Sequence, residues 1–194
     1  KDRVYCGQAD GRERRSALTV WAQILSMLVN DLQPILVFTC DEVMAFLPES
    51  MRDGQTRAAL LDWFEAPWSA EEASALLSAY NQLATARDVF TKAFEEAKEA
   101  GVVTEGTSQA AFATLTLPAD AATALADVDL AEVFVCAAVE VISGEGFSCT
   151  VAPAKGEKCP RCWNVRELGG NANHPHVCER CGDVLDSIGF SEED

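Results

Sequence analysis

The sequence predicts a mainly α fold that gives way to a small α/β segment and closes in a four-cysteine module. Three observations carry this reading. Apolar residues recur at steps of three and four through two long stretches of the first hundred residues. A short alternating run, Ala113 to Leu117, then breaks that period. Finally, two Cys-x-x-Cys pairs, Cys159/Cys162 and Cys178/Cys181, lie fifteen residues apart.

Taken in order, Leu18, Trp21, Leu25, Leu28 and Leu32 form one stripe of a helix spanning Arg12 to Leu32. Pro34 ends it and opens a second helix in which Ile35, Leu36, Phe38, Val43, Phe46 and Leu47 are dense enough to be well buried, stopped by Pro48. The polar stretch Glu49 to Thr56 reads as a loop, and Arg57 to Phe64 as a third, short helical segment. Ser69-Ala70-Glu71-Glu72 is a capping box, placing a hydroxyl and a carboxylate on the orphan amides of a helix start. Behind it Ala73, Leu76, Tyr80, Leu83, Arg87, Phe90, Phe94 and Ala97 keep helical steps until Gly101, so a helix over 70–100 would run about 46 Å at 1.5 Å per residue. These stripes predict the core of a helix bundle.

After Gly101 the pattern changes. Ala113 to Leu117 predicts a strand and 121–130 one or two short helices. Val139 to Ile142 and Cys149 to Val151 predict two more strands, joined by a hairpin turn at Ser143-Gly144-Glu145-Gly146. The Gly-x-Gly there is too little for a phosphate loop. The expected organisation is a helical bundle over 1–100, an α/β subdomain over 101–154, a metal module over 155–184 and an acidic tail over 185–194.

Of the 194 residues 48% are apolar and 24% charged, which excludes a disordered or collagen-like chain. No apolar run approaches the roughly 18–20 residues of a membrane span, and Lys1-Asp2-Arg3-Val4-Tyr5 is no signal peptide. The net charge of −16 argues against a polyanionic partner, but it is unevenly placed. Residues 1–15 carry five basic and three acidic groups, residues 16–154 five and twenty, and residues 155–182 five and three; the last twelve add five acidic groups. Two locally basic ends flank an acidic middle, so a nucleic acid would have to touch the ends. Cys6, Cys40, Cys136 and Cys149 are scattered, as expected of reduced thiols in a cytoplasmic protein.

The two cysteine pairs have the spacing of a structural zinc site. Two residues between cysteines let each pair curl into a tight turn aimed at one ion, and two such turns close a tetrahedron with no position left for water. Between 155 and 182 the only large apolar residues are Trp163, Val165, Leu168 and Val177, so the segment needs its metal to fold. A redox dithiol, an iron centre, or His174 or His176 as a ligand are the alternatives. Those two are the only histidines, which leaves Ser–His or His general-base chemistry without a candidate elsewhere. Arg161 and Arg180 occupy the same place in the two turns. There they either neutralise the formal −2 of a zinc–tetrathiolate or contact phosphate. Trp163, directly after a ligand, either packs on the α/β subdomain or offers a stacking platform to an unpaired base.

The run Lys155-Gly156-Glu157-Lys158-Cys159-Pro160-Arg161-Cys162-Trp163, with His174-Pro175-His176-Val177-Cys178-Glu179-Arg180-Cys181, closely resembles the C-terminal zinc finger of bacterial-type isoleucyl-tRNA synthetases. That finger is similar to the one in formamidopyrimidine-type DNA glycosylases. Arg14-Arg15-Ser16-Ala17-Leu18 and Pro34-Ile35-Leu36-Val37-Phe38-Thr39-Cys40-Asp41-Glu42-Val43, ending at Leu47-Pro48, resemble the class I anticodon-binding bundle. Two features depart from the family: Met44 stands where a tryptophan is common, and 101–106 lacks the usual basic run.

The resemblance implies a C-terminal part of an isoleucine–tRNA ligase, without the catalytic signatures or the editing domain, and therefore no isoleucine activation by the fragment itself. It implies one structural Zn²⁺ on Cys159, Cys162, Cys178 and Cys181, ATP used only by the parent enzyme, and a cytoplasmic, monomeric chain. The partners implied are the anticodon stem-loop of isoleucine tRNA and the parent's catalytic and editing domains. Arg14, Arg15, Lys158, Arg161, Trp163, Arg166 and Arg180 are the candidate tRNA contacts, with one of Arg14 and Arg15 on phosphate and the other in a structural ion pair. A glycosylase-type DNA-binding module and a protein-interaction zinc ribbon are the rival readings.

Overall fold

The computed structural model describes residues 1–65 and 67–191. The last three residues of the expected acidic tail lie outside them. The chain forms two compact units, Lys1–Pro67 and Trp68–Asp194.

In the first unit, α1 (Asp2–Tyr5) precedes α2 (Arg12–Leu32) and α3 (Val37–Phe46), followed by single 3-10 turns at Glu49–Met51 and Ala58–Leu60. The core is small: Val29, Cys40, Met44, Leu47 and Ala58, with Val43, Met51 and Leu61 against them. Met44 is 1% exposed and the largest side chain fully buried here. Its unbranched thioether fills the middle of this core.

The bundle-core expectation fails along much of α2 and α3. The stripe Leu18, Trp21, Leu25, Leu28 and Leu32 is 36–49% exposed, and Phe38 is 90% exposed. Only Val29 of α2 is buried. The physical reason is supply of partners: the four-residue α1, the ten-residue α3 and a 3-10 turn pack on α2, too little surface to cover a stripe along twenty-one residues. The expected third helix reduces to Ala58–Leu60, because polar side chains capture its backbone. Asp41 accepts hydrogen bonds from the Ala58 amide (2.9 Å) and Arg57 (2.8 Å), while Asn30 donates to the Asp62 carbonyl (2.7 Å) and accepts from the Phe64 amide (3.2 Å).

The second unit opens with α4 (Ala70–Glu99). Its capping box is formed: the Ser69 hydroxyl accepts from the Glu72 amide at 3.2 Å, and the Glu72 carboxylate accepts from the Ser69 amide at 2.8 Å. Gly101, at φ 71°, ends it in a Schellman turn, with the Gly101 amide on the Lys98 carbonyl and the Val102 amide on that of Ala97. Only the second half of the helix is packed. Ala86, Phe90, Phe94 and Ala97 are buried, while Leu76, Leu77 and Tyr80 stand exposed.

That buried half covers one face of a three-stranded sheet made of β1 (Ala111–Leu117), β2 (Ala138–Ser143) and β3 (Ser148–Pro153). Ala111, Ala113, Leu115 and Leu117 point into the core from the central strand, and α5 (Ala119–Ala124) and α6 (Leu130–Phe134) complete it. The Phe90 and Phe134 rings stack at 4.8 Å between α4 and α6.

The strand order is β2-β1-β3, with β1 parallel to β2 and antiparallel to β3. The expected β2–β3 hairpin is therefore absent: Gly144 to Phe147 carry the chain over the end of β1 to its far side. A Cβ on Gly144 would meet the Thr116 methyl, so any other residue there would have to displace that side chain. Short-range turn chemistry could not reveal this, because a tight link and a crossing link use the same residues.

Candidate metal centre

The C-terminal segment hangs on two short strands, β4 (Glu157–Lys158) and β5 (Val165–Arg166), paired antiparallel, and on α7 (Glu179–Ser187). Gly156, at φ 111°, leaves no room for a Cβ against the Arg166 carbonyl, which lets β4 close on β5. Between the strands the chain makes a knuckle. The Trp163 amide donates to the Cys159 carbonyl at 2.8 Å, and the Cys159 amide donates to the Asn164 carbonyl at 2.9 Å. Cys178 is the N-cap of α7, so the second pair of cysteines sits on the first turn of a helix. The two turns thus differ in kind, and Arg161 and Arg180 are not equivalent as the matched spacing suggested.

The four sulfurs lie within 4.8 Å of one another and all four cysteines are buried, the one such group of potential metal-ligating side chains among the described residues. The Cys162 and Cys178 sulfurs are 3.9 Å apart; sulfurs about 2.3 Å from a tetrahedral zinc stand about 3.8 Å apart. The Cys178 amide donates to the Cys159 sulfur at 3.4 Å and Arg161 Nη1 to the Cys181 sulfur at 3.7 Å, donors that suit sulfurs carrying negative charge. Left to themselves the thiols cannot all ionise. The hydrogen bond from Cys181 pulls Cys162 down, the same bond pushes Cys181 up, and burial pushes Cys178 up. A dication removes that conflict, and four thiolates with no open position fit a structural Zn²⁺. The residues holding it would be Cys159, Cys162, Cys178 and Cys181. Bound there, zinc supplies cross-linking and no reaction chemistry.

Neither histidine joins this group. His174 is buried with Nε2 3.4 Å from Asp186, and His176 is exposed. His174 belongs instead to a second set of contacts that the sequence pattern did not expose. Asn171 donates to Asp183 (3.1 Å) and Asp186 (2.7 Å) and accepts from the Asn173 and His174 amides. These contacts tie the loop before Cys178 to α7. The Asn171 hydrogen bond is the main reason the Asp186 carboxyl lies below its usual value. A Cβ on Gly182 would stand 2.5 Å from that of Asn171, so the glycine after the last cysteine is a packing requirement.

The basic and aromatic candidates separate by environment. Trp163 is 61% exposed and adopts φ 66°, a conformation costly for a bulky side chain, and Lys158 reaches over its ring at 5.6 Å. The packing alternative for Trp163 is thereby overturned; its neighbour Val165 enters the α/β core instead. Arg166 is half-buried on β5, and Arg161 and Arg180 are half-buried beside the sulfur-bearing turns.

In the first unit the structure separates the pair at the start of α2. Arg14 donates from Nε to the Val4 carbonyl (3.1 Å) and from Nη1 to the Ala9 carbonyl (2.9 Å), tying α1 to α2. Both of these partners are backbone carbonyls, whereas the sequence reading expects an ion pair for one of the two arginines. Arg15 is exposed.

Comparison with known proteins follows the same division. Residues 156–184 match the family described as a zinc finger found in FPG and IleRS. Isoleucine–tRNA ligase of Nitratidesulfovibrio vulgaris strain Hildenborough is 32% identical over 205 residues, covering 97% of this chain and 22% of that protein. The ligase of Saccharophagus degradans is 33% identical over 207 residues, covering 100% and 22%, and that of Syntrophotalea carbinolica 34% over 199 residues, covering 95% and 21%. The chain thus spans about a fifth of the length of the curated relatives it matches.

Proposed function

We propose, for a chain that belongs to the isoleucine–tRNA ligase family and carries that family's zinc finger, that it is the part of such an enzyme that grips the anticodon stem-loop of isoleucine tRNA. In this reading residues 1–100 supply the anticodon-binding helices and residues 155–184 the finger. The catalytic and editing domains of the ligase, which use ATP, do the chemistry. The fragment itself binds and does not activate isoleucine, and it works as a monomer in the cytoplasm. No helix among the described residues is long and apolar enough to cross a membrane.

The observation that carries the reading is Trp163. A large ring held open to solvent at a strained backbone angle, on a knuckle clamped by two backbone hydrogen bonds beside the four-cysteine group, is arranged for contact. An unpaired base stacks on such a ring, and Lys158 beside it, with Arg166, Arg161 and Arg180 behind, supplies positive charge for flanking phosphates. Arg15 serves the same role at the other basic end.

The finger by itself would also suit a glycosylase-type DNA module. The similarity to ligases over 95–100% of the chain favours RNA. Titrating the zinc-loaded chain with an isoleucine-tRNA transcript and with duplex DNA at matched ionic strength tests this. The reading expects preference for the tRNA, and equal binding of both, or binding of neither, would sink it.

A further inference from the structure

The peptide that joins Cys162 to Trp163 is held from both sides. Its N–H, on Trp163, donates within the knuckle to the Cys159 carbonyl at 2.8 Å. Its C=O, on Cys162, accepts from Gln109 Nε2 at 3.4 Å, across fifty-three positions of sequence. Trp163 leaves this peptide at φ 66°. Once the plane of a peptide is fixed, that one angle decides where the following Cα–Cβ bond points. The direction in which the Trp163 side chain leaves the backbone, and with it the range open to the ring, is therefore set by whatever holds the plane.

Gln109 is itself well anchored. It lies in the 3-10 turn Ser108–Ala110 immediately before the central strand β1. Its amide donates to the Thr107 hydroxyl at 3.2 Å, and that hydroxyl donates to Gln109 Oε1 at 3.4 Å, which leaves the Nε2 end directed at Cys162. On one side of it the Ser108 hydroxyl donates to the Val135 carbonyl at 2.9 Å, and on the other the Ala154 amide donates to the Ala110 carbonyl at 2.8 Å. The only apolar side chain of the finger in the α/β core is Val165, among the described residues. The Gln109–Cys162 hydrogen bond adds a second point of attachment, at the knuckle itself.

The geometry points to Gln109 as a positioning residue for tRNA binding: by holding the Cys162 carbonyl it aims Trp163 from the rigid sheet. This inference rests on the RNA-binding reading of the finger, and goes beyond it by tying the contact residue to the α/β subdomain.

The test uses the zinc-loaded 194-residue chain. Gln109→Glu keeps the size and removes the donor; Gln109→Lys keeps a donor on a longer stem. The Trp163 indole N–H signal, identified by its loss in Trp163→Phe, reports ring order through its heteronuclear relaxation, and bound zinc is measured in parallel. Gln109→Glu is expected to loosen the Trp163 indole and weaken isoleucine-tRNA binding by about two- to tenfold, the worth of one net hydrogen bond. Zinc content should stay unchanged, and Gln109→Lys should restore order. An indole as ordered in Gln109→Glu as in the parent chain overturns the inference. So does loss of zinc from Gln109→Glu, because the bond would then support the metal turn and not the ring. If the indole loosens while tRNA affinity is unmoved, and Trp163→Ala is equally silent, the positioning stands and the RNA-binding reading falls.

Discussion

The Lys158 ammonium stands 5.6 Å from the centre of the Trp163 ring, from the strand facing the knuckle that carries the tryptophan. A cation over one face leaves the other open. Truncating the ring in Trp163→Ala should weaken isoleucine-tRNA binding by about 1–3 kcal/mol with zinc retained. Lys158→Ala should cost less and mainly flatten the salt dependence of binding. Fluorescence anisotropy over a range of salt concentrations separates the two.

Removing the metal should unfold the finger and spare the rest of the second unit. Zinc supplies on the order of 10 kcal/mol to such modules, whereas the α/β core rests on its own buried residues around Phe90, Leu115 and Phe134. With a chelator, amide signals from 156–184 should collapse while those of β1–β3 persist. Full retention of finger signals after metal loss would count against a structural zinc.

Arg14 and Arg15 should answer differently to substitution. Arg14→Ala removes two hydrogen bonds, one to Val4 of α1 and one to Ala9 in the turn that follows it, and should lower the stability of the first unit. Arg15→Ala should leave the fold intact and reduce the slope of log affinity against log salt by about 0.7–0.9, one phosphate contact. A stable Arg14→Ala with the same loss of slope would reverse the assignment.

Asp41 links α3 to the 3-10 turn at Ala58, and its carboxyl lies below the usual aspartate value of 3.8, chiefly because the Ala58 amide donates to it and then because Arg57 does. A carboxyl depressed in the folded state stabilises fully above its unfolded value, and that contribution disappears as pH falls through the folded one. The difference in denaturation midpoint between the parent chain and Asp41→Ala should be constant at neutral pH and shrink below pH 3.8. A difference that grows on acidification would contradict the assignment.

Phe90→Ala opens a cavity where α4 meets α6 and should cost about 3–5 kcal/mol in the second unit. Leu76→Ala, on the exposed half of the same helix, should cost little. Urea midpoints followed at a reporter in the sheet distinguish the packed half of α4 from the open one.

Much of the metal centre was legible because its signals are local. Two residues between cysteines decide how a turn can curl, and the Ser69–Glu72 box and Gly101 act through backbone groups within one helical turn. The apolar steps of α2 were equally regular, yet they record only a preference for burial and not the presence of something to bury against. Met44 became core at 1% exposure, while Phe38, six positions earlier in the same helix, stayed open at 90%. Gln109 carries no motif at all; its part depends on a carbonyl fifty-three positions along the chain.

Sequence alone therefore marked the two long helices and the spacing of the four cysteines. Tertiary structure decided the rest: that β1 lies between β2 and β3, that Arg14 is spent on backbone carbonyls, and that Trp163 faces solvent. The reason is one of range. Capping, turn and ligand signals act between residues a few positions apart, whereas strand order, burial and the aim of a side chain depend on contacts that exist only after distant segments have met.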